Sequence, residues 1–199
     1  MDQQITYKIA NRLYLSITDR CTLGCTFCPK NNGILQVGDY DLTMDHRPET
    51  EEIIQAIDDP RRYDEVVFCG YGEPTLRLNV LLKVASHIKA EGGRVRLNTD
   101  GLANLVHKDD VLPEMATCVD ALSVSMNAQD AATYDRYCQP GLPGSYESLL
   151  RFLKDAPRCI PNVTATAIEG LESVDIDACR RLAQGLGVKF RKRILGKVG

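Results

Sequence analysis

Six short runs rich in β-branched and apolar residues recur along the chain: RLYLSIT at 12–18, DEVVFCG at 64–70, RVRLN at 94–98, DALSVSM at 120–126, NVTATAI at 162–168 and VKFRKRI at 188–194. Runs of this length and composition predict strands. Between them, apolar residues spaced three and four apart predict helices over 48–59, 78–92, 108–116, 130–156 and 175–187. The second of these closes on EGG, a helix stop. Strand and helix in alternation imply a parallel sheet with right-handed crossovers and the helices outside. Six such units make either a flat doubly wound sheet or an incomplete, open βα barrel, and periodicity alone does not separate the two. In both, ligands gather beyond the carboxyl ends of the strands.

At 199 residues and 44% hydrophobic content the chain can bury a sizeable core, and without linker, repeat or low-complexity segment it reads as one domain over 1–199. It contains no run of eighteen apolar residues, and its start, MDQQITYKIANR, lacks the layout of an export signal. The expectation is a cytoplasmic protein with no membrane contact. A formal charge of −3 leaves no global footprint for nucleic acid. Eight cysteines in a reducing compartment read, where clustered, as metal ligands before disulfides.

Three of the eight crowd the stretch ITDRCTLGCTFCPK, at Cys21, Cys25 and Cys28 on a loop over 19–30. A structural zinc site wants a second ligand pair, and neither another CxxC nor an HxxxH occurs. A cubane iron–sulfur cluster has four irons, so three thiolates leave one iron open for a cosubstrate. Polar motifs follow the next strands. In GYGEP at 70–74, Gly72 permits close backbone approach and the Glu73 carboxylate suits a cationic amino group, although Gly-Glu-Pro is also an ordinary turn into a helix. NTDG at 98–101 is a tight turn or a ligand site, with Asn98 at the strand end. Ser125 and Asn127 end the fourth run, where Asn127 equally caps the next helix. Ile168, at the fifth, is core or an apolar face for a ring.

The CxxxCxxC spacing, with Phe27 before the last cysteine, resembles the signature of radical S-adenosylmethionine (SAM) enzymes. GYGEP is similar to that superfamily's GGEP with Tyr71 in place of the first glycine, and AIEGLE to its GxIxGxxE with Ala167 in place of the leading glycine. The resemblance implies a partial (βα)6 TIM-type barrel, parallel and open on one side, holding a [4Fe-4S] cluster on Cys21, Cys25 and Cys28. It further implies that Tyr71, Gly72 and Glu73 orient the methionine amino group of SAM. Asn98 then approaches the ribose, Ser125 and Asn127 meet the carboxylate or ribose, and Phe27 and Ile168 lie beside adenine. The implied reaction is reductive cleavage of SAM to a 5'-deoxyadenosyl radical that abstracts hydrogen from an unidentified substrate. No catalytic residue is singled out. NRLYLSITDRCTLGCTFC, VVFCGYGEPTLRL, RLNTDGLANLVH and VDALSVSMNAQDAATYDRYCQP look more narrowly like TatD-associated radical SAM proteins. Implied partners are a reductant such as flavodoxin or ferredoxin, a small-molecule or macromolecular substrate, and a TatD-type hydrolase. The alternative is a non-enzymatic iron–sulfur redox sensor or electron-transfer module.

Several residues stand outside these motifs. Cys69 is expected to face the site and Cys138 to be exposed, with Cys118, Cys159 and Cys179 mostly buried. His87 reads as surface and His107 as a solvated loop residue. Arg77, Arg136 and Tyr137 are candidates for an anionic substrate but read first as solvated. KFRKRILGKVG reads as an exposed final strand with five cations, and 29–47 is long enough for a lid.

Overall fold

The structure is a computed structural model that describes residues 3–196. Its strands are β1 (Thr6–Ile9), β2 (Arg12–Leu15), β3 (Gln36–Val37), β4 (Tyr40–Asp41), β5 (Glu65–Phe68), β6 (Val95–Thr99), β7 (Ala121–Ser125), β8 (Asn162–Glu169) and β9 (Lys189–Ile194). Its α-helices are α1 (Thr50–Ala56), α2 (Leu78–Ala90), α3 (Ala103–His107), α4 (Leu112–Met115), α5 (Ala131–Cys138), α6 (Ser145–Asp155) and α7 (Ile176–Gly185). The main sheet runs β1-β2-β5-β6-β7-β8-β9, and all six strands read from periodicity appear in it as one parallel series. The order is strictly sequential. A doubly wound sheet reverses order at a switch point, whereas a sheet that always adds its next strand on the same side curls toward a barrel. The fold is therefore a partial TIM-type barrel.

Side-chain alternation puts the larger core outside the curl. Leu13, Val66, Phe68, Val95, Leu97, Leu122, Val124 and Ala165 point outward into one buried cluster with the helices. There α2 contributes Leu78, Leu81, Leu82, Ala85 and Ile88, the one-sided spacing that made it legible as a helix. The inner face carries a smaller apolar cluster of Tyr7, Tyr14, Val37, Leu42 and Val67. Val37 and Leu42 come from the long loop after β2, which folds its β3–β4 hairpin over this face.

Three details depart from the pattern reading. β1 is a seventh strand, antiparallel to β2 through a turn with Ala10 left-handed (φ 51°). The helix expected over 108–116 is broken: Lys108 is left-handed (φ 55°) and ends α3, and α4 restarts after Asp110 with Pro113 in its first turn. The stretch 130–156 is two helices, because QPGLPG holds Gln139 and Gly144 left-handed between α5 and α6.

Candidate active site

The carboxyl ends of the strands open onto one cavity of about 370 Å³. Cys21, Cys25, Cys28, Phe27, Tyr71, Gly72, Glu73, Asn98, Ser125, Asn127 and Ile168 all line it. The structure thus brings together all eleven residues expected to hold the cluster and SAM.

The cysteine loop is held by its backbone. Gly24 N donates to Gln139 O at 3.1 Å, Thr26 N to Tyr137 O at 2.9 Å, and Gly141 N to Thr22 O at 3.0 Å, so the end of α5 runs beside it like a short strand. Asn31 Nδ2 donates to Cys25 O at 2.9 Å, and Asn32 Nδ2 to Cys28 O at 2.8 Å and Thr26 O at 3.0 Å. These bonds engage the carbonyls of Thr22, Cys25, Thr26 and Cys28, while Cys21 Sγ accepts from Leu23 N at 3.5 Å and Cys25 lies beside the Cys138 thiol. Cys21 is exposed, and Cys25 and Cys28 are half-buried. Desolvation by the surrounding loop, then the field of Asp100, pushes the Cys21 thiol up to about 12. The Cys138 thiol and then burial raise Cys25. Both shifts favour the protonated thiol, and ligation to iron must displace that proton.

GYGEP docks under this loop. Glu73 N donates to Arg20 O at 2.7 Å, and a Cβ on Gly72 would sit 2.2 Å from Thr18 O and 2.7 Å from Arg20 O. Only a glycine permits this backbone-to-backbone approach. The Glu73 carboxylate is 3% exposed and accepts from Thr75 N (3.0 Å), Thr75 Oγ1 (2.7 Å), Thr99 Oγ1 (2.9 Å) and Asp100 N (2.7 Å). These bonds tie the ends of β5 and β6 together. Burial and the neighbouring Asp100 push Glu73 up to about 8, against the pull of those four donors. Asp100 itself accepts from Thr22 Oγ1 and Leu102 N, linking the third strand end to the cysteine loop.

Further round, Asn127 is left-handed (φ 62°) and 3% exposed; its Nδ2 faces Cys138 Sγ at 3.6 Å and its Oδ1 accepts from Arg193 Nη2 at 3.1 Å. It does not cap α5, whose cap is Asp130 accepting from Thr133 N. Asn98 Oδ1 accepts from Arg96 Nη1 at 2.6 Å, and Arg96 and Arg12 both reach Glu65, at 2.9 and 3.2 Å. Ile168 is buried at the cavity wall, and Phe27 is half-buried.

Other expectations need correction. Cys138 is fully buried, because it lies one turn beyond the buried Tyr134 on the inward face of α5. Cys159 is exposed. Arg77 is spent on the protein, donating to Ile17 O at 2.9 Å and Pro48 O at 2.6 Å, and His107 is the last residue of α3, with Nε2 2.8 Å from Thr75 O. Arg136 lies at the surface beside Glu172. Cys69 lines the cavity as expected. The final strand is exposed as expected at Lys189, Arg191, Lys192 and Ile194, with Phe190 and Arg193 half-buried; in addition, Arg191 and Arg193 line the cavity. Lys197, the last of the five tail cations, lies outside the described residues. Arg193 is the functional candidate missed by sequence reading. The signal was the parity of KFRKRI: Phe190 packs outward against the helices, which turns Arg191 and Arg193 inward.

Among the described residues no three His, Cys, Asp or Glu side chains converge on a single-ion position. A cubane makes a different demand, one thiolate for each of three irons at separate corners. Three thiols on one fastened loop, all lining the cavity, fit that donor set.

Residues 15–183 match the Radical SAM superfamily. The chain belongs to that superfamily. Radical SAM proteins bind a [4Fe-4S] cluster and SAM. The chain is 29% identical over 124 residues to the tungsten-containing aldehyde ferredoxin oxidoreductase cofactor-modifying protein of Pyrococcus furiosus, covering 60% of this chain and 32% of that protein. It is 28% identical over 148 residues to GTP 3',8-cyclase of Peptoclostridium acidaminophilum, covering 73% of this chain and 42% of that one. This radical SAM chain therefore spans less than half the length of either relative. In fold it is similar to SuiB of Streptococcus suis bound to S-adenosylmethionine, with a TM-score of 0.66, 12% identity, and coverage of 93% of this chain and 41% of that one. No helix among the described residues is long and apolar enough to cross a membrane.

Proposed function

We propose that this protein is an enzyme that cleaves SAM reductively and directs the resulting 5'-deoxyadenosyl radical to abstract hydrogen from a substrate. The observation that carries the reading is the convergence of three loop cysteines, the loop's Phe27 and seven strand-end residues on one cavity. The cluster, when bound, supplies one electron and an open iron for the cosubstrate's methionine end. Everything else is positioning. Cys21, Cys25 and Cys28 hold the cluster, and the backbone at Tyr71 and Gly72, packed against Thr18 and Arg20, presents carbonyls to the methionine amino group. Glu73 keeps that turn in place through its bonds to Thr99 and Asp100, and its own carboxylate faces the protein. Asn98 serves the ribose, Ser125 and Asn127 the ribose or carboxylate, and Phe27 and Ile168 the adenine. The β3–β4 hairpin excludes water from the inner face, where a radical must be shielded.

The finer reading is a TatD-associated radical SAM protein. It is cytoplasmic, acts as a single domain, is reduced by a flavodoxin or ferredoxin, and works alongside a TatD-type hydrolase. Support comes from the four stretches of sequence similar to that family. A non-enzymatic redox carrier is not favoured, since it leaves the strand-end polar groups without a purpose. The test is anaerobic reconstitution followed by dithionite and SAM. The expected product is 5'-deoxyadenosine, and its absence from protein with a full iron load refutes the reading.

A further inference from the structure

On the last strand, the cavity wall carries positive charge that no carboxylate of the described chain neutralises. β9 alternates: Phe190 faces α7, with Arg180 over its ring at 5.2 Å, and Lys192 faces outward to Glu169 at 2.8 Å. Arg191 and Arg193 take the other parity, face the cavity, and stand roughly 7 Å apart by strand rise. The register puts Arg191 beside Thr166, with Ser125 one strand further on, and Arg193 beside Ile168. The other inward arginines, Arg12 and Arg96, share Glu65. Arg193, by contrast, has one hydrogen bond, to Asn127 Oδ1, and its buried Nε has no partner; Arg191 makes no ion pair among the described residues. The cavity's two acids, Glu73 and Asp100, are held by Thr75, Thr99, Thr22 and backbone amides.

A half-buried guanidinium without an anion is costly, and it persists where a ligand completes it. SAM carries a single carboxylate, which can pair with at most one of the two guanidinium groups and leaves the other without an anion. At the other edge of the sheet, Tyr7 and Tyr14 stack at 5.2 Å between ring centroids and, with Val37 and Leu42, make an apolar wall of the same cavity. From these features we infer that Arg191 and Arg193 form the anion subsite for the substrate, a small molecule with an apolar or aromatic body and a carboxylate or phosphoryl group. This inference rests on the enzyme reading above for the meaning of substrate, but the anion subsite itself is testable without turnover.

The test is calorimetric titration of the cluster-loaded protein with inorganic phosphate and with succinate, each with and without SAM. Both probes are expected to bind, with R193Q and R191Q each weakening them about tenfold or more, the size of a lost charge-assisted hydrogen bond, and R193K recovering part of the loss. Melting curves check that each variant folds; should R193Q fail to fold, R191Q, on the exposed side, carries the test. Absence of binding by the wild type, or equal binding by both Gln variants, overturns the assignment. A parallel titration compares SAM with its decarboxylated analogue in R193Q. Selective weakening of SAM means that the guanidinium serves the cosubstrate's carboxylate, and the substrate assignment falls. Should SAM fail to bind while the arginine-dependent anion site stands, the enzyme reading fails and the subsite survives.

Discussion

Substituting Gly72 with alanine tests the contact that joins the cysteine loop to the second strand end. The new Cβ would lie 2.2 Å from Thr18 O and 2.7 Å from Arg20 O. Carbon against a carbonyl oxygen settles at roughly 3.3 Å, so one backbone must retreat by about 1 Å. Neither obstacle is a side chain that can rotate away. The retreat stretches the 2.7 Å bond from Glu73 N to Arg20 O beyond hydrogen-bonding range. Loss of that bond costs about 1 kcal/mol and the overpacking about 1–3 kcal/mol. For a chain of this size the sum lowers Tm by roughly 5–15 °C. The displaced loop also carries Cys21, so iron per chain after reconstitution should fall together with 5'-deoxyadenosine formation. G185A is the control, because a Cβ there meets nothing within 4 Å and the φ is right-handed, so it should be neutral or slightly stabilising. A G72A protein that melts and loads iron like the parent refutes the account of how the two loops are docked.

Individual C21A, C25A and C28A variants should each lose the cluster's visible absorbance and all 5'-deoxyadenosine formation, while circular dichroism stays that of a folded α/β protein. N32A removes the bonds to Thr26 O and Cys28 O, costing about 1–2 kcal/mol and slowing cluster reconstitution; unchanged loading kinetics count against the fastening role. Glu73 is raised from 4.5 to about 8 in the fold, so the native state binds the extra proton between those values and stability falls as pH rises through that window. Asp100, also raised by burial, acts in the same sense. Urea midpoints of the metal-free protein should therefore decline from pH 5 to pH 8, with E73Q flattening the decline, and a rise over that range contradicts the assignment.

The outward face of the central strands was legible because its residues follow period two: Val66, Phe68, Leu97 and Val124 are all fully buried. β1 was not, since Lys8 interrupts a four-residue run that reads as a polar N-terminus until Tyr7 is seen stacked on Tyr14. The 108–116 helix was misplaced because the left-handed turn at Lys108 is set by packing around Asn104 and Asp110 rather than by a glycine or proline. In the site, cysteine spacing and strand-end motifs carried their own signal. Arg193 did not, since its value depends on which side of an edge strand meets the cavity, and the charge-rich tail drew attention to the surface instead. Cys138 shows the same limit: at the end of a helix it was expected to be exposed, and only the fold buries it beneath Tyr134 and brings it to Asn127.

The strand-like seam between residues 22–26 and 137–141 bears on the order in which the molecule is made. A free loop that had to be frozen at the moment of cofactor arrival would set its lost conformational freedom against the metal's affinity, roughly 1–2 kcal/mol per residue. Here that freedom is given up earlier, when α5 docks on the sheet. The amides of Gly24 and Thr26 should therefore already be protected from hydrogen exchange before the cluster is added.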